Sequence, residues 1–245
     1  MTRNTFPLTL DNSLELTPTV RQFAFRRADR EPFEFTAGQF INLHWDREGH
    51  RTHRSYSVVT QPGTSDVIEI AVAPVEGGFA TEKLFGLRPG DMVEGSGPYG
   101  RFVLREDPPC RYLLVATGTG VTPYHSMLPE LERLLGQNGH SVELLLGVRS
   151  RQELLYADAF RGLAGRSERF RFRACYSREL PADAEEWESE GYVQHRFAAL
   201  EPDPERDIVY LCGNPNMVDE AVEMLKEKGF GVRQVRREKY LSARN

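Results

Sequence analysis

A change of rhythm near residue 105 limits what this sequence can become more than any other feature. Before it, short strand-like segments crowd together: Phe6–Leu16, Val20–Arg27, Gln39–Trp45, Arg54–Thr60, Val67–Pro74 and Asp91–Gly95. Pro, Gly, Asp and Asn separate them. Only Thr81–Leu87 reads as a helix, ended by Arg88-Pro89-Gly90. Strands at this spacing without intervening helices predict an antiparallel β-barrel. After the charged, proline-rich Arg105-Glu106-Asp107-Pro108-Pro109, strands alternate with helices. Tyr112–Ala116, Ser141–Val148, Phe170–Tyr176 and Asp207–Cys212 read as strands, and Val232–Tyr240 as an edge strand. Pro123–Leu135, Gln152–Leu163 and Asn216–Lys228 read as helices. That alternation predicts an α/β domain with a doubly wound parallel sheet. Two domains are therefore expected, residues 1–105 and 106–245, and 245 residues suffice for two cores.

Composition narrows the function. The net charge of −5 argues against generic nucleic-acid binding. No apolar run is long enough to cross a bilayer, and nothing near Met1 resembles a signal peptide. Cys110, Cys175 and Cys212 are scattered, which suits neither a disulfide framework nor a four-thiolate iron–sulfur site. The six histidines show no metal-ligand spacing. The expectation is a cytoplasmic monomer with no metal, nucleic-acid or membrane partner.

Within the first half, His53-Arg54-Ser55-Tyr56-Ser57-Val58-Val59-Thr60 stands out. As a strand it places Tyr56, Val58 and Thr60 on one side and Ser55, Ser57 and Val59 on the other. A guanidinium, a flat ring and a hydroxyl then lie close together. Arg54 can fork onto phosphate oxygens, Tyr56 can lie on a fused ring, and Ser57 can hydrogen-bond a ring nitrogen. That set suits a planar cofactor carrying a diphosphate; the plainer alternative is a strand with an exposed arginine. Gly77-Gly78-Phe79-Ala80-Thr81 offers backbone N–H groups at a helix start, either a diphosphate seat or a simple turn.

In the second half, Gly118-Thr119-Gly120-Val121-Thr122-Pro123 follows the first strand. Thr122 is expected to cap the helix and Pro123 to begin it. The loop departs from the dinucleotide fingerprint, which has a third glycine where Pro123 stands. The second strand ends Gly147-Val148-Arg149-Ser150-Arg151, with no acid until Glu153, and the third ends Tyr176-Ser177-Arg178. A cationic edge suits a 2′-phosphate, where NAD-specific sheets carry a carboxylate. The alternative is a pair of exposed loop arginines. Cys212-Gly213-Asn214-Pro215 puts a thiol at the sheet's C-terminal edge, where it faces a ligand crevice or merely fills space.

Arg54-x-Tyr56-Ser57, Phe35-Thr36-Ala37-Gly38-Gln39-Phe40, Gly97-Pro98-Tyr99-Gly100, Gly118-Thr119-Gly120-Val121-Thr122-Pro123, Ser177-Arg178-Glu179 and Cys212-Gly213-Asn214-Pro215-Asn216-Met217 together resemble the ferredoxin–NADP reductase family. They follow that family's order from about Phe33 to Tyr240, and look most like its compact bacterial ferredoxin/flavodoxin–NADP reductases. The resemblance implies FAD in the barrel, bound by Arg54, Ser55, Tyr56 and Ser57 and by Gly78, Phe79, Ala80 and Thr81. It implies NADPH/NADP+ in the second domain, held by Gly118, Thr119, Gly120, Thr122 and Pro123, with Gly213, Asn214 and Met217. Arg149, Ser177 and Arg178 match positions that bind the 2′-phosphate, hence NADPH over NADH.

Hydride would pass from nicotinamide to flavin N5, then electrons singly to ferredoxin or flavodoxin. Ser57, Cys212 and Glu238 are the implied catalytic residues, Cys212 helping to position the nicotinamide. Glu238-Lys239-Tyr240 resembles the family's Glu-x-Tyr ending, where the aromatic covers the flavin; read alone, Tyr240 is a strand-end aromatic. Leu241–Asn245 is expected to fold over the flavin or reach its adenosine. Arg47, Arg51 and Arg101 are candidates for docking the acceptor. The rival readings are an oxygenase, free-flavin or ferric-siderophore reductase on this scaffold, or a non-catalytic flavin- or nucleotide-binding subunit.

Overall fold

The computed structural model describes residues 5–137 and 139–240. The chain divides into two compact units. One comprises the chain to Leu104 with Thr122–Met127; the other comprises Arg105–Val121 and the chain from Leu128. The expectation for Leu241–Asn245 lies outside the described residues.

The first unit contains β1 (Thr5–Thr17), β2 (Val20–Arg27), β3 (Phe40–Arg47), β4 (His50–Ser57), β5 (Ile68–Val72) and β6 (Met92–Tyr99). Every pairing is antiparallel, in the order β4-β3-β6-β1-β2-β5. The sheet closes on itself just past β4. Val58 bridges Ile70, and the Val59 N–H donates to the Glu69 carbonyl at 2.7 Å. Alternate residues point inward: Phe6, Leu8 and Leu10 from β1, Phe23 and Phe25 from β2, Ile41 and Leu43 from β3, Ile68, Ile70 and Val72 from β5. Each such burial contributes about 1.5–3 kcal/mol. Register shifts between Leu10 and Asn12 and between Glu15 and Thr17 bend the long β1.

The central strand of the motif runs His50–Ser57, not Arg54–Thr60. Alternation stops at Ser57, and Val58 and Val59 are both buried because they make the closure. Helix α1 spans Phe79–Phe85, two residues earlier than predicted, because Gly78 occupies its N-cap. Helix α2 (Thr122–Ser126) groups with this unit. There Ser126 Oγ donates to the Thr60 carbonyl at 2.7 Å, and His125 Nδ1 lies 3.1 Å from the Val59 carbonyl.

The second unit has β7 (Arg111–Thr117), α3 (Leu128–Gly136), β8 (Ser141–Val148), α4 (Ala157–Arg166), β9 (Phe170–Tyr176), β10 (Glu188–Glu190), α5 (Val193–Ala198), β11 (Asp207–Gly213), α6 (Pro215–Glu227) and β12 (Val235–Lys239). Its sheet is wholly parallel, in the order β10-β9-β8-β7-β11-β12. Strand order reverses between β7 and β11, the switch point of a doubly wound sheet. Continuous apolar runs such as Tyr112–Ala116 are buried on both faces, as a central parallel strand requires.

Three helical predictions need correction. Pro123–Leu135 is not one helix. A 3-10 turn (Gly118–Val121) comes first, α2 ends at Ser126, and α3 restarts at Leu128. Thr122 therefore does not cap a helix; its hydroxyl is buried with no hydrogen-bond partner among the described residues. Gln152–Leu163 is likewise split, by extended Leu154 and a left-handed Tyr156, because Leu155 turns into the core. The third helix starts at Pro215 because the Asn214 side chain accepts the Asn216 N–H as its N-cap. The short β10 and α5 carry too few periodic residues to register in the sequence.

Ion pairs tie the first residues of this unit to its later strands. Asp207, 1% exposed, accepts from Arg111 Nε at 2.9 Å and Nη2 at 2.6 Å, and from the Asp203 N–H at 2.8 Å. Arg236 on β12 donates to both oxygens of Asp107 at 2.7 Å. Replacing Asp207 by Asn strands a half-buried guanidinium, and should cost about 3–5 kcal/mol. Urea denaturation followed by far-UV circular dichroism checks this. The apolar double replacement Asp207→Leu with Arg111→Met should recover most of the loss.

Candidate functional site

In the first unit the cofactor candidates line β4. Register pairs Leu43 with Arg54, Asn42 with Ser55, Ile41 with Tyr56 and Phe40 with Ser57. Tyr56 packs against the barrel core; burial pushes its phenol up to about 12, with Arg54 opposing, so it remains a neutral flat donor. Arg54 Nη1 turns back to its own His53 carbonyl at 2.8 Å. Its Nε and Nη2 have no partner among the described residues and retain the fork geometry for a phosphate. Ser55 Oγ donates to Asn42 Oδ1 at 2.7 Å, which leaves its lone pairs to accept. Ser57 is buried.

At α1, the Gly78 N–H is already spent on the Val75 carbonyl at 2.9 Å. The first helical amides, Phe79, Ala80 and Thr81, have no intrahelical acceptor, so they are what remains for a ligand. Arg47 and Lys83 lie over the Phe79 ring, 5.5 and 5.6 Å from its centroid. Arg51 is paired with Glu94 at 2.6 Å, which reduces the free basic surface expected of it, and Arg101 is exposed.

In the second unit the site candidates gather at the switch point. The loop after β7 and the loop after β11 interlock. A Cβ at Gly120 would stand 2.4 Å from the Cys212 carbonyl oxygen, and one at Gly213 would stand 2.4 Å from Thr117 Oγ1. Thr117 Oγ1 instead accepts the Asn214 N–H at 2.8 Å. Gly118 has φ +52° and open space where a side chain would be, so a phosphate can come against the backbone beside Thr119. Pro123 is buried in α2. Met217 faces the apolar core, 3% exposed, where its packing role is evident.

Cys212 pairs with Ala116 on one side and Glu238 on the other. Burial raises its thiol well above the ordinary range, the Glu238 charge adds to this, and a hydrogen bond with Tyr240 opposes it. The sulfur is thus a neutral thiol and not a thiolate nucleophile. Tyr240 is held beside it by its N–H, which donates to the Gly213 carbonyl at 2.8 Å.

The edge beyond β8 and β9 is more balanced in charge than its sequence suggests. Arg149 and Arg178 are exposed, and the two strand ends are joined through the backbone: the Ser177 N–H donates to the Val148 carbonyl and the Arg178 N–H to the Arg149 carbonyl. Arg151 is not available. It donates to Glu188 at 2.7 and 2.5 Å and to Asp183 at 2.9 Å. Tyr192, missed in the sequence, is 60% exposed at the start of α5. The preceding Gly191 N–H bonds the Tyr176 carbonyl at 2.8 Å, which ties this turn to the end of β9, and the Tyr192 ring meets His195 edge-on, centroids 6.0 Å apart. The signal was a large aromatic after Glu190-Gly191, a glycine with φ +107°.

Both sets fit phosphate-bearing ligands: free amides and a forked guanidinium in the first unit, glycine-lined loops and exposed arginines in the second. Such a pair of sites suits two phosphate-bearing cofactors, one in each unit. Residues 7–104 match the oxidoreductase FAD-binding domain family and residues 114–223 the oxidoreductase NAD-binding domain family. The chain is 36% identical to ferredoxin–NADP reductase B of Sorangium cellulosum over 92% of this chain and 93% of that one. It is 33% identical to the reductase component of propane 2-monooxygenase from Rhodococcus jostii, over 89% of this chain but 60% of that longer one. The Amycolatopsis cytochrome P450 reductase GcoB superposes with a TM-score of 0.82 at 30% identity, covering 98% of this chain and 71% of that one. The chain belongs to the ferredoxin–NADP reductase family and carries FAD-binding and NAD(P)-binding domains.

Among the described residues no group of three or more His, Cys, Asp or Glu could hold a metal ion, and no helix is long and apolar enough to cross a membrane.

The Glu188 cluster generates a pH prediction. Burial would raise its carboxyl, but Arg151, the Glu185 N–H and the Tyr176 hydroxyl outweigh this and hold it at about 2. A depressed acid stabilises the fold fully above its unfolded value of 4.5 and loses that contribution as pH falls toward about 2. The wild type should therefore lose stability between about pH 5 and 2 more steeply than Glu188→Gln, which is less stable at neutral pH. Thermal melts across that range measure both slopes.

Proposed function

We propose that the protein is an NADPH-dependent reductase delivering electrons one at a time to ferredoxin or flavodoxin. The observation that carries this is the likeness, over nearly the whole of both chains, to a ferredoxin–NADP reductase. The exposed Arg149 and Arg178 flanking Ser177 at the β8–β9 edge support NADPH over NADH. The FAD-binding domain is assigned to residues 1–105 and the NADP-binding domain to 106–245. Bound FAD would supply the exchange between a hydride's electron pair and single electrons.

The protein's own residues bind and orient. Arg54 and the Phe79–Thr81 amides neutralise the FAD diphosphate, and Tyr56 seats the flavin ring. Ser57 is assigned a hydrogen bond at flavin N5. Gly118, Thr119 and Gly120 receive the nucleotide diphosphate, with Asn214 holding the neighbouring loop. Cys212, a neutral thiol, orients the nicotinamide, and Glu238 serves proton transfer. Tyr192 offers its exposed face to the adenine. Tyr240 is assigned to the flavin's open face. A cytoplasmic location and a monomeric state go with this reading.

A second reading is an oxygenase reductase component, favoured by the likeness to the propane 2-monooxygenase reductase. Electron transfer to purified ferredoxin and flavodoxin, measured across ionic strength, separates the two. The proposed function expects turnover with a carrier that weakens as salt rises. Absence of transfer to either carrier, with active NADPH-driven dye reduction, would remove the carrier assignment.

Arg178→Ala should raise KM for NADPH about tenfold with little change for NADH. Steady-state kinetics with both nucleotides reads it. Ser57→Ala should slow flavin reduction by about 10²-fold in stopped flow, and an unchanged rate removes Ser57 from the N5 role.

A further inference from the structure

The first acid in sequence after β8 is Glu153, and the fold returns it to the strand end. A 3-10 turn, Arg151–Glu153, folds the chain back, closed by the Glu153 N–H on the Ser150 carbonyl at 3.0 Å. Glu153 Oε2 then accepts the Arg149 N–H at 3.4 Å, and Oε1 stands 3.9 Å from Arg149 Nη1. The turn is anchored from behind, since Arg151 is locked onto Glu188 and Asp183. Arg149 is 58% exposed and Glu153 23%, so both remain within reach of a ligand. Arg178, by contrast, has no acid partner among the described residues.

We infer that Glu153 is a specificity-determining residue that narrows the choice between NADPH and NADH. It is the resident counter-ion of Arg149. A ribose 2′-phosphate has to displace it from the guanidinium and lie beside its negative charge. A ribose 2′-hydroxyl can instead donate to the same carboxylate, as strand-end acids do in NAD-binding sheets. One side chain thus disfavours the phosphorylated nucleotide and serves the other. This rests on the reading of the β8–β9 edge as the adenosine site.

The test uses the FAD-loaded protein and two fragments that differ only by the 2′-phosphate, adenosine 2′,5′-bisphosphate and 5′-AMP. Calorimetric titration of Glu153→Gln should show the bisphosphate bound about fivefold to tenfold more tightly and 5′-AMP not strengthened. In steady state the NADPH-to-NADH ratio of kcat/KM should rise by a similar factor, through KM. Glu153→Asp, which keeps the charge, should stay near the wild type. Unchanged or weakened bisphosphate binding in Glu153→Gln overturns the inference. Arg178→Ala separates the two levels. If it weakens the bisphosphate while Glu153→Gln leaves it unchanged, only the role of Glu153 falls. If bisphosphate binding is indifferent to Arg149→Ala and Arg178→Ala as well, the edge is not the adenosine site and the earlier reading falls with it.

Discussion

The second unit depends on how closely two loops can approach where its strand order reverses. β7 and β11 are neighbours in the sheet, and their following segments must part to opposite sides. They do so while still touching: Gly120 lies against the Cys212 carbonyl, and Gly213 against the Thr117 hydroxyl. A methyl group at either glycine would force backbone apart from backbone. The contact also brings Cys212, Glu238 and Tyr240 to one place, because β12 continues the same edge in register with β11. A steric minimum at two residues therefore decides where Cys212 of β11, Glu238 of β12 and the following Tyr240 come together.

Much of this was legible because the two halves obey different periodicities. Inward Phe and Leu on every second residue mark the barrel strands, and continuous apolar runs mark the parallel ones. The breaks were not legible. Pro123–Leu135 has an unbroken helical pattern in sequence, yet the chain divides near Met127, because Ser126 and His125 are drawn to the carbonyls of Thr60 and Val59. Those partners lie 66 residues away, beyond any local window. Thr122 misleads in the same way: a capping residue by composition, it is already the first residue of α2, directly behind the 3-10 turn.

The candidate site was legible as a set of residue types and less so as a balance of charge. Arg149, Arg151 and Arg178 look alike in sequence. In the fold one is locked against Glu188, one leans on Glu153, and one is unpaired among the described residues. Glu188 lies 37 positions from Arg151 and contributes through β10, a strand of three residues. Tyr192 escaped notice for a related reason: it stands between the three-residue β10 and the short α5, neither long enough to announce itself.

The Asp107–Arg236 and Arg111–Asp207 pairs join the opening residues of the second unit to residues close to its end. During synthesis the partners of Asp107 and Arg111 emerge 129 and 96 residues after them. β7 lies in the middle of the sheet, yet its neighbour β11, and then β12 beyond it, leave the ribosome long after it. The barrel strands are complete by Tyr99 and can assemble early. The NAD(P)-binding half must wait in an incomplete state until its own last strand, β12, has been made.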